Sequence, residues 1–216
     1  MTSRSYSVGG ALWPLLFSLL LFAMGAAEVS AQGAGVVQGQ VINQSVDGGE
    51  PVAGISVALQ VYKGMSLERI EDAVTDADGR FRFEGLETDE EYVYQVTARY
   101  AGVSYFSEFL IFGEDEVLPV TLFVYEPTYE DEGIHVERAH MIVTVNPRRL
   151  RVGHLYVFSN PGRGTYIGAG EGMTATLRFS VPAYAEDLDI QDGALGGRYI
   201  KTDEGFVDTA PVPPGV

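Results

Sequence analysis

Beyond residue 32 the apolar positions fall on alternate residues. VVQGQVINQ (36–44) alternates, and ISVALQVY (55–62) puts Ile55, Val57, Leu59 and Val61 on one side. RFRFEGL (80–86) aligns Phe81 with Phe83, YVYQVTARY (92–100) aligns Tyr92, Tyr94, Val96, Ala98 and Tyr100, and LPVTLFVYE (118–126) follows. Side chains two apart share a face of a strand, so each stretch is predicted to cover one side of a core. Gly-, Asp- and Pro-rich pieces separate them: VDGGEPVAG, TDADGR, LETDEE, YAGVS and FGEDE. The only helical hint is a single turn in SLERIED (66–72). Short strands with frequent turns predict an all-β, antiparallel sandwich over 35–127.

EPTYEDEG then interrupts the alternation with a proline and four acids, and 128–133 reads as a linker. HVERAHMIVTV, VGHLYVFSN, GTYIG, ATLRFSV, LDIQDG and GRYIKTDEGFVD resume it. A second sandwich is expected over 134–216. The proline segment DTAPVPPGV at its end cannot continue a ladder, so this domain reads as incomplete, or as ending in a free tail.

The first 31 residues stand outside both domains. Arg4, the apolar run ALWPLLFSLLLFAMGAA and the small residues Val29 and Ala31 have the order of a secretory signal peptide cleaved near Ala31–Gln32. An uncleaved anchor is the lesser alternative, because the run is short for a span and Pro14 interrupts it. No other stretch is apolar and long enough, so no membrane span is expected after cleavage. The destination is secreted, periplasmic or cell-surface. The chain has no cysteine, so neither disulfides nor thiolate chemistry enters and the fold must hold through its core.

Charge divides the chain. Residues 32–131 carry 19 Asp/Glu against 5 Lys/Arg, a net of −14, whereas 132–216 carry 10 against 8, a net of −2. Such an acidic half repels phosphate backbones, which excludes nucleic acid as a partner.

Three stretches hold residue types that could carry chemistry. TDADGR holds Asp76, Asp78 and Gly79, but Val74 and Gly85 stand where a calcium loop needs an oxygen ligand and a glutamate. Asp76 therefore reads as a turn-former bonding its own backbone, with Gly79 supplying a positive φ. HVERAH places His135 and Glu137 on one face and His140 on the other, and His154 lies on the next strand. That parity does not build a zinc triad. GRGTYIGAGEG has neither the helix nor the lysine of a phosphate loop. No catalytic, metal or cofactor residue is assigned, and no cofactor is expected.

Two surfaces remain. Tyr92, Tyr94, Tyr100 and Tyr105 form a candidate aromatic stripe for a carbohydrate or a partner. Arg148, Arg149 and Arg151 form a basic cluster between two strands, either a turn cap or a docking patch for an acidic surface.

The stretch VVQGQVINQSVDGGEPVAGISVALQVY…AVTDADGRFRFEGLETDEEYVYQVTARYAGVSYFS resembles the carboxypeptidase regulatory-like family, a transthyretin-like β-sandwich. The resemblance rests on the strand ending GQV, on G-x-P-V-A-G before the next strand, and on T-D-A-D-G-R-F-x-F-x-G-L, and it covers 36–126. It implies an accessory sandwich that packs on peptidases, receptors and surface proteins; the family's peptidase has no counterpart here. The functional expectation is an exported, non-enzymatic binding or structural module of the cell envelope. It would contact a protein or an envelope polysaccharide through edge strands or loops. A carbohydrate-binding module and an accessory fragment of a larger secreted hydrolase are the alternatives.

Overall fold

The computed structural model describes residues 35–168, 175–191 and 195–215. The expected signal segment 1–31 and residues 169–172 of the glycine-rich stretch GRGTYIGAGEG lie outside them. Among the described residues there is no helix, and the chain is all-β.

Eight strands build the sandwich: β1 (Gly35–Asn43), β2 (Glu50–Pro51), β3 (Ser56–Lys63), β4 (Ser66–Val74), β5 (Arg80–Leu86), β6 (Tyr92–Tyr100), β7 (Val103–Phe106) and β8 (Val117–Val124). One sheet is ordered β4-β3-β6-β7 and is antiparallel throughout. In the other, β1 is central, antiparallel to β2 and β5 and parallel to β8. Alternation along a strand does not encode the direction of its neighbour, so this parallel pair departs from the purely antiparallel expectation.

The inward residues are the ones the alternation selects. Val37 and Val41 of β1, Val57, Leu59 and Val61 of β3, and Tyr94, Val96 and Ala98 of β6 have no exposed surface. Phe81 and Phe83 of β5, Val120, Leu122 and Val124 of β8, and Phe112 from the loop before β8 complete the core. A fully buried Val or Leu contributes about 1.5–3 kcal/mol, so this layer carries the stability of a chain without disulfides.

SLERIED is a strand, not a helical turn: β4 pairs with β3 from Ser56↔Val74 to Lys63↔Ser66. Its inward positions hide the strand signal because they are charged. Arg69 donates to Glu71 at 2.8 Å and to Glu87 at 2.8 Å, closing one end of the core with ions instead of hydrocarbon. Charges on the inner side of an edge strand also discourage pairing with another chain.

Gly39 of β1 lies between Phe81 of β5 and Val120 of β8. A Cβ there would lie 2.0 Å from the Val120 carbonyl oxygen and 2.8 Å from the Phe81 ring. The first contact is with backbone and cannot be relieved by a rotamer change. Gly39→Ala is expected to cost upwards of about 2 kcal/mol through overpacking, measured as a lower urea midpoint. An unchanged midpoint would mean that β8 does not lie against β1 in this register.

The later strands are β9 (Pro127–Thr128), β10 (His135–Asn146), β11 (Arg149–Ser159), β12 (Thr165–Tyr166), β13 (Leu177–Ser180), β14 (Tyr199–Thr202) and β15 (Gly205–Asp208). Where the pattern predicts a second sandwich over 134–216, the described residues form two separate pieces. β10 and β11 pair only with each other, and β13-β15-β14 make a small antiparallel sheet. LDIQDG, read as a strand, has no strand pairing within its described residues 188–191.

The expected linker and tail are also tied down. β9 runs parallel to β12, and Tyr166 exchanges backbone hydrogen bonds with Val212 while Asn160 does so with Gly215. The proline tail therefore is not free. Its non-proline residues supply the N–H groups that the prolines lack.

Candidate interaction surface

The β10–β11 hairpin is the feature that sets this chain apart from a closed sandwich. β10 has 12 residues and β11 has 11, and the turn joins Asn146 directly opposite Arg149. Pro147 presets the φ that the first turn position needs. The register pairs Met141 with His154, Val143 with Val152, and Val145 with Leu150. Cross-strand partners share a face, so Ala139, Met141, Val143, Val145, Leu150, Val152, His154 and Tyr156 line one side. The other side carries His140, Ile142, Thr144, Asn146, Arg149, Arg151 and Leu155.

The first side is apolar and largely uncovered. Met141 is 65% exposed, Val145 75% and Leu150 66%. At its base the same side meets protein. Tyr156 and Phe158 lie 5.8 and 6.0 Å from the Phe179 ring of β13, which stacks on Phe206 of β15 at 4.8 Å. A core begins there and stops short of the outer two-thirds of the arm. An isolated two-stranded hairpin is marginal in water, so an apolar side of this length calls for a cover.

The small sheet that holds the base is locked by ions. Asp208 is 3% exposed, and its two carboxylate oxygens accept from Arg198 Nε and NH2, each at 2.6 Å. Asp208 Oδ1 also accepts from the Ala210 N–H at 2.9 Å. Asn160 is buried and donates to the carbonyls of Gly164 and Val212 at 3.0 and 2.8 Å, fixing the end of β11.

A polar seam joins this region to the sandwich. Asn43 Nδ2 donates to Glu126 at 2.9 Å and to Tyr100 at 3.2 Å, and the Tyr100 hydroxyl donates to the same carboxylate oxygen. Ser45 accepts from the Glu126 N–H and donates to the Arg163 carbonyl, both at 2.7 Å, while Arg163 pairs with Asp47 at 2.5 Å. Tyr105 shares a hydrogen bond with Thr165 at 2.8 Å. Asn43 begins an Asn-Gln-Ser acceptor pattern, yet at 6% exposure with its amide donating inward it offers a glycan no access once folded.

The four tyrosines do not form one exposed stripe. Tyr94 is fully buried, its ring edge-on to Phe112 at 5.4 Å and its hydroxyl donating to the Glu87 carbonyl at 2.6 Å. Tyr105 is buried and donates to the Tyr125 carbonyl at 2.8 Å. Tyr92 and Tyr100 are half-buried. Their faces are spent on packing because β6 and β7 turn them toward the core.

Burial pushes the Tyr94 and Tyr105 hydroxyls up, and the Glu126 hydrogen bond, then burial, pushes Tyr100 up to about 12. The hydrogen bond from Arg69 holds Glu87 below the usual carboxylate value.

These tyrosines set an alkaline limit. Below pH 10 both folded and unfolded forms are protonated and the seam is intact; above it the unfolded chain loses protons first. Stability is therefore expected to fall between pH 10 and about 12 for Tyr100, and tyrosinate absorbance should rise together with loss of near-ultraviolet dichroism. Tyrosinate forming well before unfolding would show that the seam does not hold these protons.

Arg148, Arg149 and Arg151 stand at the far end of the arm, and Arg149 meets Asp187 at 2.8 Å instead of the acidic sandwich. Asp76 Oδ1 accepts from the Asp78 and Arg80 N–H groups at 2.9 and 2.8 Å, and Gly79 has φ +73°, where a Cβ would meet the Val41 carbonyl oxygen at 2.8 Å and the Val52 nitrogen at 2.9 Å. The three residues turn the chain from β4 into β5. His135 bonds Glu137 at 3.3 Å and His154 stacks on Tyr156, and among the described residues no three His, Asp or Glu side chains gather as a metal would need. Met141, Val143, Val145, Leu150 and Val152 were not singled out from sequence. Their alternation was visible, but nothing in it says that no second sheet covers them.

No family model matches this chain, and no curated protein matches it.

Proposed function

We propose that this protein is an exported, non-enzymatic binding module of the cell envelope, and that it makes its contacts through the β10–β11 arm. The observation that carries the reading is the uncovered apolar side of that arm, standing on a base held by Asp208–Arg198 and the Phe179 cluster. Export rests on the order of charged, apolar and small residues over 1–31. The carboxypeptidase regulatory-like resemblance of 36–126 fits a sandwich that carries a contact element rather than a reaction. The displaced pKa values of the sandwich fit this, since Arg69, Glu87 and Tyr100 answer first to hydrogen-bond partners and Tyr94 and Tyr105 to burial in the core.

The test is co-sedimentation of the purified chain with isolated envelopes and with insoluble polysaccharides, at low and moderate salt. Wild type is expected to sediment with envelopes, and Val143→Glu with Val152→Glu to remain in solution. Envelope binding that survives those substitutions removes the arm from the function. Saturable, salt-insensitive binding to one polysaccharide would replace the reading with a carbohydrate-binding module.

A further inference from the structure

The arm is polarised along its length as well as across it. Over 134–160 it carries four arginines against one glutamate, and three of those arginines, Arg148, Arg149 and Arg151, crowd the tip. At the base the chain enters β10 directly from Glu130, Asp131 and Glu132, all exposed. Twelve residues of strand span roughly 40 Å, several times the screening length in physiological salt, so the two ends act as separate charges.

We propose that the uncovered side of the arm is the docking surface for a second copy of this chain, arm against arm and antiparallel about a twofold axis. The inference rests on the reading that the arm is the contact surface, and it names what covers it. Size, shape and charge each favour this occupant. The exposed parts of Met141, Val143, Val145, Leu150, Val152 and Tyr156 amount to on the order of 600 Å², at the upper end of what a monomer leaves bare and near the roughly 800 Å² per partner of a stable interface. Two sheet faces with aliphatic side chains pack about 10 Å apart with strands nearly aligned, and a twofold contact needs a face complementary to itself. This face meets that need, because it carries no Lys, Arg, Asp or Glu.

Charge then chooses the direction. Parallel arms would bring six tip arginines together. Antiparallel arms, overlapping over their bare outer parts, point each Arg148–Arg151 tip toward the other copy's Glu130–Glu132, so opposite charges face each other at both ends. The aromatic cluster of Tyr156, Phe158 and Phe179 continues the apolar layer at each end of the stacked pair.

Sedimentation equilibrium of the purified full chain tests this. Wild type is expected to form dimers at micromolar concentration. Val143→Glu with Val152→Glu, a cross-strand pair outside the sandwich core, with far-ultraviolet dichroism as the folding control, should weaken association more than about 100-fold, since charge is then buried without a partner. Arg148→Glu with Arg151→Glu should weaken it about tenfold, as should Glu130→Lys with Glu132→Lys, and all four in one chain should restore it. That restoration is what a merely sticky surface would not give. A wild type that stays monomeric to about 100 µM, or an oligomer indifferent to the arm variants, overturns the second copy as the occupant.

An apolar dye tells the two failures apart. If monomeric wild type binds the dye and the Val143→Glu, Val152→Glu chain does not, the arm remains a contact surface and only the second copy is refuted. If neither binds dye, the face is covered within the chain and both readings fall.

Discussion

Tyr94→Ala is expected to lower stability by about 3–5 kcal/mol, the range for removing a buried aromatic ring. Tyr94 is wholly buried, and its ring packs edge-on against Phe112. Tyr94→Phe should cost only about 1 kcal/mol, because it removes one hydrogen bond to the Glu87 carbonyl and leaves the ring in place. Urea unfolding of the two variants beside wild type separates the contributions, and equal losses would mean that the hydroxyl, not the ring, is what matters. The contrast bears on function too. A loss of sugar or envelope binding in Tyr94→Ala would report a disrupted core, so the phenylalanine variant is the informative one at this position.

Removing Arg198 should produce the second large effect, and a local one. Arg198→Ala removes the guanidinium from the buried Asp208 carboxylate, which still accepts from the Ala210 N–H, and breaking a buried pair by removing one partner costs about 3–5 kcal/mol. Arg198→Lys should recover little of it, since an ammonium cannot reach both carboxylate oxygens as the guanidinium fork does. The loss should appear as faster amide exchange in 177–180 and 199–208, while β1, β3 and β6 keep their protection. Exchange that rises throughout the chain would show that the sheet and the sandwich unfold as one. Because this sheet carries Phe179 and Phe206, the arm's base should loosen with it.

Much of this was legible in the chain. A strand buried on one face must place apolar groups at every second residue, and Val37, Val41, Leu59, Val96 and Leu122 are found inside for that reason. Asp76 and Gly79 announce their turn because carboxylate-to-backbone bonding and a positive φ are properties of the residues themselves. β4 was misread because its inward side is Arg69 and Glu71, where an ion cluster replaces hydrocarbon and the period disappears. The burial of Tyr94 and Tyr105 is hidden in the sequence for the opposite reason. A tyrosine has an apolar body and a polar tip, so its letter fits a core position and a sugar platform equally, and only the Glu87 and Tyr125 carbonyls that receive the hydroxyls decide between them.

By itself, the sequence determined the strand class, the sandwich core and the turn chemistry, because each depends on interactions within a few residues. It also determined the charge contrast between the acidic first half and the basic end of the arm. Tertiary structure alone decided that β8 runs parallel to β1, that the proline tail is bonded to Tyr166 and Asn160, and that Met141, Val143 and Val145 face water. Alternation tells which side of a strand seeks cover, whereas whether cover arrives depends on residues far away in the chain.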